Sequence, residues 1–300
     1  MGQKRGASVK SLLVVAFVTV IALAFAGFAG ANSVELYGYP AMYLAGWMAL
    51  LINWLAFVPS AAAKSDRFYD TVGAITYLSV MALSVYAAYS FHGGIDLRAI
   101  VVATMVGLWC IRLGAFLYTR IHAAGGADSR FEKIKVNPAR FLVAWTLQAL
   151  WVILTASAAV AIITIKSPVA PDLFLVVGAA LWLLGIVWET VADNQKKAFK
   201  DDPDNKGKFI NVGLWRWSRH PNYFGEITLW FGILVIAIPV LSGLSWLVVI
   251  SPIFVFLLLT RISGINLQDA QAKERWGDDP DYQEYRKNTP ALFPKPPPGS

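Results

Sequence analysis

The sequence predicts an all-α membrane protein, a polytopic bundle of about eight transmembrane helices, with seven as the alternative count. Composition points there first: 57% of the 300 residues are hydrophobic and 15% charged, where a soluble domain carries about 25% charged residues. Pattern points there next, because apolar runs recur that approach the roughly 20 residues needed to cross a bilayer. Charge distribution agrees, with lysine and arginine gathered into alternate loops as the positive-inside rule requires.

Taken in order, the predicted spans are residues 11–30, 39–61, 70–91, 99–120, 140–165, 172–192, 224–240 and 243–261. Lys4, Arg5 and Lys10 precede the first run, which closes on AFAGFAGANS, a layout shared with secretory signals. Its apolar stretch from Ser11 to Gly30 exceeds the usual signal core of about 7–15 residues, so it reads as a retained helix. The last two spans are separated by Pro239 and Ser242–Gly243, which break an otherwise overlong segment; ignoring that break gives the count of seven. With the N-terminus in the cytosol and eight spans alternating, 23 of the 26 Lys and Arg residues fall on the cytosolic side. Both long polar loops and the C-terminal tail are therefore expected to face the cytosol. The closing PKPPPGS reads as an extended, unstructured tail.

Several function classes are excluded. Cys110 is the single cysteine, so no disulfide framework or thiolate cluster can form, and His92, His122 and His220 lack metal-ligand spacing. No metal site is predicted. The net charge of +7 reflects basic cytosolic loops rather than nucleic-acid binding. No glycine-rich phosphate loop follows a strand, so a nucleotide site would have to be built from membrane helices and their loops.

Chemistry concentrates in residues 213–226, GLWRWSRHPNYFGE, directly before an apolar span. A helix beginning near Pro221 would present free N–H groups beside Arg216, Arg219 and His220, an arrangement suited to a phosphate or carboxylate. Asn222, Tyr223 and Glu226 run on into the span, where a carboxylate demands a partner. Lipid-facing arginines within an aromatic belt would explain the basic residues alone, but leaves Asn222 and Glu226 without a reason. Upstream, VWETVADNQKKAFK places Glu189 and Asp193 on one helix face with Lys196, Lys197 and Lys200 following. In the fourth span, LWCIRLGAFLYTRI carries Arg112 inside the apolar run and Tyr118 and Arg120 toward its end. An intramembrane arginine must face the interior and pair, with Asp70 or Glu226 as candidate partners. Asn53 in the second span reads either as an interior hydrogen-bonding group or as helix-to-helix glue.

The runs LWRWSRHPNYFGE, LWCIRLG and FYD, together with the tail string GDDPDYQEYRKNTPALFP, resemble the steroid 5α-reductase superfamily. The likeness is to its bacterial branch of multi-pass proteins with a 3-oxo-5α-steroid 4-dehydrogenase-like C-terminal domain. It divides the chain into N-terminal transmembrane helices over residues 1–98, a reductase-like membrane domain over 99–295 and a tail over 296–300. The resemblance implies a bacterial inner-membrane reductase. NADPH would be held by Arg120, Asp193, Lys197, Lys200, Arg216, Arg219, His220, Asn222, Tyr223 and Glu226. Hydride would pass to the enone of an apolar lipid of steroid or isoprenoid type, with Asp70, Tyr118 and Arg112 as the candidate catalytic groups. The Gln-Glu pair by which characterised steroid reductases grip the ketone is absent from spans two to four, and SGINLQDA stands where the branch carries a proline and a glutamate.

The motif RHPNYFG is shared with S-adenosylmethionine-dependent membrane methyltransferases of the isoprenylcysteine and phospholipid type, which form the alternative. The following Glu226 and the upstream Asp193 with its lysines favour a phosphorylated dinucleotide. A transporter is the third class; its broken helices would carry polar ends at mid-membrane depth, whereas here the cluster sits at a membrane boundary.

Overall fold

A computed structural model describes residues 2–123 and 131–297, with side chains over 8–119 and 131–297. The protein is an all-α, polytopic membrane fold, and eight helices among the described residues are long and apolar enough to cross a bilayer. By compactness the chain divides into one unit of residues 1–174 and 236–251 and a second of residues 175–235 and 252–300. The boundary placed at residue 98 follows the reach of the resemblance and is a division of another kind.

The first unit holds α1 (Gly2–Ala29), α2 (Ala41–Ala63), α3 (Tyr69–His92), α4 (Leu97–Ala123) and α5 (Pro138–Ile163). Helix α5 is its axis. It begins where Asn137 accepts a hydrogen bond from the Arg140 amide (3.2 Å) and Pro138 occupies the first turn, a start that satisfies one orphan donor and wastes none. Its small residues Ala149, Ala156, Ala158 and Ala159 are fully buried, which lets neighbouring backbones approach closely where lipid offers no hydrophobic drive. Asn53 is glue of the predicted kind: buried on α2, it donates to the Ala49 carbonyl (2.9 Å) and to Thr76 Oγ1 on α3 (3.2 Å).

Between α1 and α2 lies a hairpin, β1 (Glu35–Leu36) and β2 (Tyr39–Pro40), paired Glu35 to Pro40 and Leu36 to Tyr39. Its two turn residues, Tyr37 and Gly38, both have positive φ, the geometry that matches strand twist in a two-residue loop. Arg98, 2% exposed, anchors the start of α4: it meets Asp172 at 2.9 Å and donates to the carbonyls of Ile236 and Ala170, each at 2.9 Å. An arginine this deep needs all three acceptors to offset its desolvation.

The second unit contains most of α6 (Leu173–Asp201), of α7 (Pro221–Ala237) and of α8 (Ile250–Leu257), and all of α9 (Ile265–Trp276) and α10 (Pro280–Asn288). Helices α6 and α7 pack on glycines. A Cβ added at Gly185 would fall 2.6 Å from the Gly225 carbonyl oxygen and the Leu229 nitrogen, and one at Gly232 would fall 2.6 Å from the Gly178 carbonyl. The heptad spacing of each pair, 178 with 185 and 225 with 232, keeps the contact on one face of each helix.

The predicted sixth span stops at 192, whereas α6 continues to Asp201. The stretch after 192 loses hydropathy but consists of good helix formers, Ala, Gln and Lys among them, so the helix persists once apolarity ends. The eighth predicted span likewise proves to be composite: a 3₁₀ stretch (Gly243–Val249), α8, a π-turn (Leu258–Ile262), and then α9 after a break at Gly264. A Cβ at Gly264 would overlap the Leu259 carbonyl oxygen, so only glycine permits that break.

Candidate functional site

Two groups of residues carry chemistry, one in each unit. In the second unit, α6 presents Glu189, Asp193, Lys196 and Lys200 as one stripe at the 3.6-residue period. Glu189 and Asp193 are buried, while Lys197 and Lys200 are exposed. Gly225 of α7 sits against the Glu189 backbone, since a Cβ there would lie 2.6 Å from the Glu189 nitrogen. That close approach leaves Asn222, Tyr223 and Glu226, all half-buried, on the first turns of α7. Helix α7 starts at Pro221, as predicted.

The loop before α7 is held from three sides. Gln195 on α6 accepts from the Leu214 amide (2.8 Å), and the Trp215 indole donates to the Ala192 carbonyl (3.0 Å). Lys196 Nζ lies 4.8 Å from the Trp215 ring centroid, a cation–π contact. On another side, the Tyr285 hydroxyl donates to the Trp215 carbonyl (2.6 Å), and burial pushes this phenol well above its ordinary range. The C-terminal segment runs along the loop: the Arg219 amide donates to the Pro290 carbonyl, the Lys295 amide to the Trp217 carbonyl (both 2.9 Å), and Ser218 Oγ to the Leu292 carbonyl (2.8 Å). The predicted loose tail is thus tied to this loop through Lys295, and residues 298–300 lie outside the described residues.

At the centre stands Asp269 of α9. Arg219 Nη1 donates to both its oxygens (3.1 and 3.0 Å), His220 Nε2 meets Oδ1 at 3.1 Å, and Arg286 stands 3.9 Å away. Because an ionised carboxylate only accepts, the His220 proton is assigned to Nε2. Nδ1 then carries a lone pair, and it is buried with no hydrogen-bond partner among the described residues. Burial lowers the His220 pKa below 6.5, a pull that Asp269 opposes without reversing. His220 stacks on Tyr223 (centroids 5.4 Å, planes 8° apart), whose hydroxyl accepts from Gln268 Nε2.

The structure therefore draws Arg219, His220 and Tyr223 into one cluster and sets Asn222 and Glu226 on the same helix start. Asp193 and Lys200 belong to the α6 stripe, Lys197 is exposed beside it, and Arg216 is exposed on the loop. The Arg120 side chain lies outside the described residues. Sequence reasoning missed Asp269, Gln268 and Tyr285, which lie 49, 45 and 70 residues from the groups they hold. Only an acid among the polar residues of the helix INLQDAQAKERW marked the place.

In the first unit, Asp70 lines a cavity of about 40 Å³ among α3, α4 and α5, with Tyr77, Trp109, Cys110, Gln148 and Trp151 on its walls. Arg112 and Tyr118 do not line it; Arg112 is half-buried on α4 and Tyr118 is exposed. A volume of that size has room for a few waters at most. Gln148 and Tyr77 were not singled out by sequence, although a polar residue inside an apolar span is the relevant signal.

Comparison with known proteins places these residues in a family. Residues 56–289 match the model described as "protein of unknown function (DUF1295)". The chain belongs to that family. The match takes in α3 to α10 and so both residue groups described above. A 57-residue stretch is 40% identical to a probable O-methyltransferase, ustE, of Ustilaginoidea virens, covering 19% of this chain and 20% of that protein. The chain thus matches about a fifth of that relative's length. No solved structure matches.

Proposed function

We propose that this protein is a membrane-embedded, NADPH-dependent reductase of an activated carbon–carbon double bond, such as an enone, in a steroid-like or isoprenoid lipid. The α6 stripe is the observation that carries this reading. Buried Glu189 and Asp193 come first and Lys196, Lys197 and Lys200 follow on one continuous helix. Asp193 and Lys200 are about 10 Å apart along the axis at 1.5 Å per residue, the scale of a nucleotide. Carboxylates accept from ribose hydroxyls and lysines meet phosphates as point charges, so a hydroxyl-rich sugar followed by phosphates suits the order of groups. The chemistry that NADPH supplies is hydride. The protein's part is to hold the cofactor at α6 and the first turns of α7 and to fix the loop between them through Asp269 and the C-terminal segment. Of the three groups first considered for the substrate side, Asp70 is the one that lines the α3–α5 cavity.

The concentration of basic residues in alternate loops supports cytosolic N- and C-termini in a bacterial inner membrane, so the cofactor would arrive from the cytosol. DUF1295 is a family of the steroid 5α-reductase-like and membrane methyltransferase kind, and the second reading is S-adenosylmethionine-dependent methyl transfer. Two observations favour it: the partial relative is named an O-methyltransferase, and Arg219 spends its charge on Asp269 rather than standing open to a phosphate.

Thermal unfolding of the purified protein with NADPH, NADH or S-adenosylmethionine separates the two. A ligand at 100 times its dissociation constant adds about 2.7 kcal/mol. Stabilisation is expected with NADPH, weaker with NADH, and reduced in a Lys197→Gln/Lys200→Gln variant. Stabilisation by S-adenosylmethionine alone would replace the reductase with the methyltransferase.

A further inference from the structure

The α3–α5 cavity has a polar wall whose chemistry is asymmetric. Gln148 is 5% exposed, and its Nε2 donates to the Tyr69 carbonyl at 2.9 Å. A carbonyl oxygen can only accept, so the amide orientation is settled: the nitrogen faces Tyr69 and Oε1 is the end left over. Oε1 is buried and has no hydrogen-bond partner among the described residues. Gly73 holds the amide in place, since a Cβ there would fall 2.6 Å from Gln148 Nε2. Asp70, another acceptor when ionised, shares the cavity with residues that carry donors, Tyr77, Trp109, Cys110 and Trp151, and the wall is otherwise apolar, Leu113 and Leu117 included. Between α3 and α4 the wall is low, because Ala74 and Gly114 meet there, a Cβ on Gly114 lying 3.1 Å from that of Ala74.

A buried acceptor left without a donor costs about 1–3 kcal/mol, and within a membrane span water is not at hand to meet it. A ketone cannot satisfy it; a hydroxyl can. We infer that this cavity binds the hydroxyl end of an apolar lipid, with Gln148 Oε1 accepting the hydroxyl proton and the lipid body lying along the Leu113–Gly114–Leu117 wall. The inference deepens the enzymatic reading, on which its relevance to substrate rests, by adding a hydroxyl to the lipid. It takes nothing from the cofactor site.

Cys110 lines the same cavity and is the only cysteine in the chain, so its alkylation reads occupancy without any cofactor. The full-length protein in phosphatidylcholine nanodiscs is labelled with N-ethylmaleimide while 1-dodecanol, dodecyl methyl ether or 2-dodecanone is titrated. Should the Cys110 thiol react too slowly, Leu117→Cys in a Cys110→Ser background puts the reporter on the half-buried part of the wall. The alcohol is expected to protect at about fivefold lower concentration than the ether or the ketone, the ratio of one hydrogen bond. Gln148→Leu is expected to abolish that preference. Equal protection by all three, better protection by the ketone, a preference that survives Gln148→Leu, or no protection at all would overturn the inference, the last leaving only a water site. The alcohol–ether comparison in the unaltered protein stands even if Gln148→Leu fails to fold. Because no nucleotide is present, a negative result here is distinct from a failure to bind NADPH.

Discussion

Asp269→Asn tests whether the α9 carboxylate organises the loop before α7. In the folded protein Asp269 takes two hydrogen bonds from Arg219 at 3.1 and 3.0 Å and a third from His220 at 3.1 Å. The side chains are 20% exposed for Asp269 and 13% for Arg219, so the pair is largely but not wholly withdrawn from solvent. Breaking a buried charge pair by removing one partner costs about 3–5 kcal/mol, because the other charge remains buried without compensation. The residual exposure, and the acceptor that asparagine keeps, bring the expected loss to about 2 kcal/mol. At roughly 2–4 °C per kcal/mol for a chain of this size, the melting temperature should fall by about 4–8 °C. Thermal unfolding followed by tryptophan fluorescence measures it. Arg219→Gln should cost a similar amount, and the double variant should fall short of the sum by about 1 kcal/mol or more. A loss below about 0.5 kcal/mol, within the range of ordinary surface substitutions, or strict additivity in the double variant, would refute the view that Asp269 holds Arg219 in place.

Burial places the folded His220 pKa below its unfolded value near 6.5, so its neutral form contributes stability that is present above pH 6.5 and lost as pH falls through the folded value. Unfolding free energy is expected to decline below pH 6.5 by at most about 1.4 kcal/mol per pH unit from this one group, and His220→Gln should flatten that part of the profile; an unchanged profile would remove His220 as its source. Gly225→Ala and Gly185→Ala each drive a Cβ to within 2.6 Å of backbone on the facing helix, and each is expected to cost about 1–3 kcal/mol by overpacking. Gly94→Ala, which meets nothing within 4 Å, is the control, and equal behaviour of all three in a melting assay would contradict the close α6–α7 contact.

The spans were legible because a bilayer leaves the backbone one local solution: every peptide group must be satisfied within its own helix, so a long apolar run announces itself without reference to any neighbour. The start of α7 was legible for a related reason, since Pro221 marks a first helical turn by its own covalent geometry. What escaped notice needed a partner from elsewhere. Arg219 and His220 read as an open anion site because nothing nearby in sequence neutralises them; the neutralising carboxylate arrives from α9, 49 and 50 residues on. The extension of α6 escaped because hydropathy reports where a helix leaves the apolar phase, not where it ends. Gln148 shows the converse. One amide inside AWTLQALW looks like a minor interruption beside the charge of Arg112, yet its orientation is forced by the Tyr69 carbonyl, its oxygen is left without a donor among the described residues, and the residue lines a cavity. Charge drew attention to the residues that fold can compensate internally. The neutral group whose second valence the fold does not meet is the sharper marker of what must bind there, because desolvation leaves it no alternative donor.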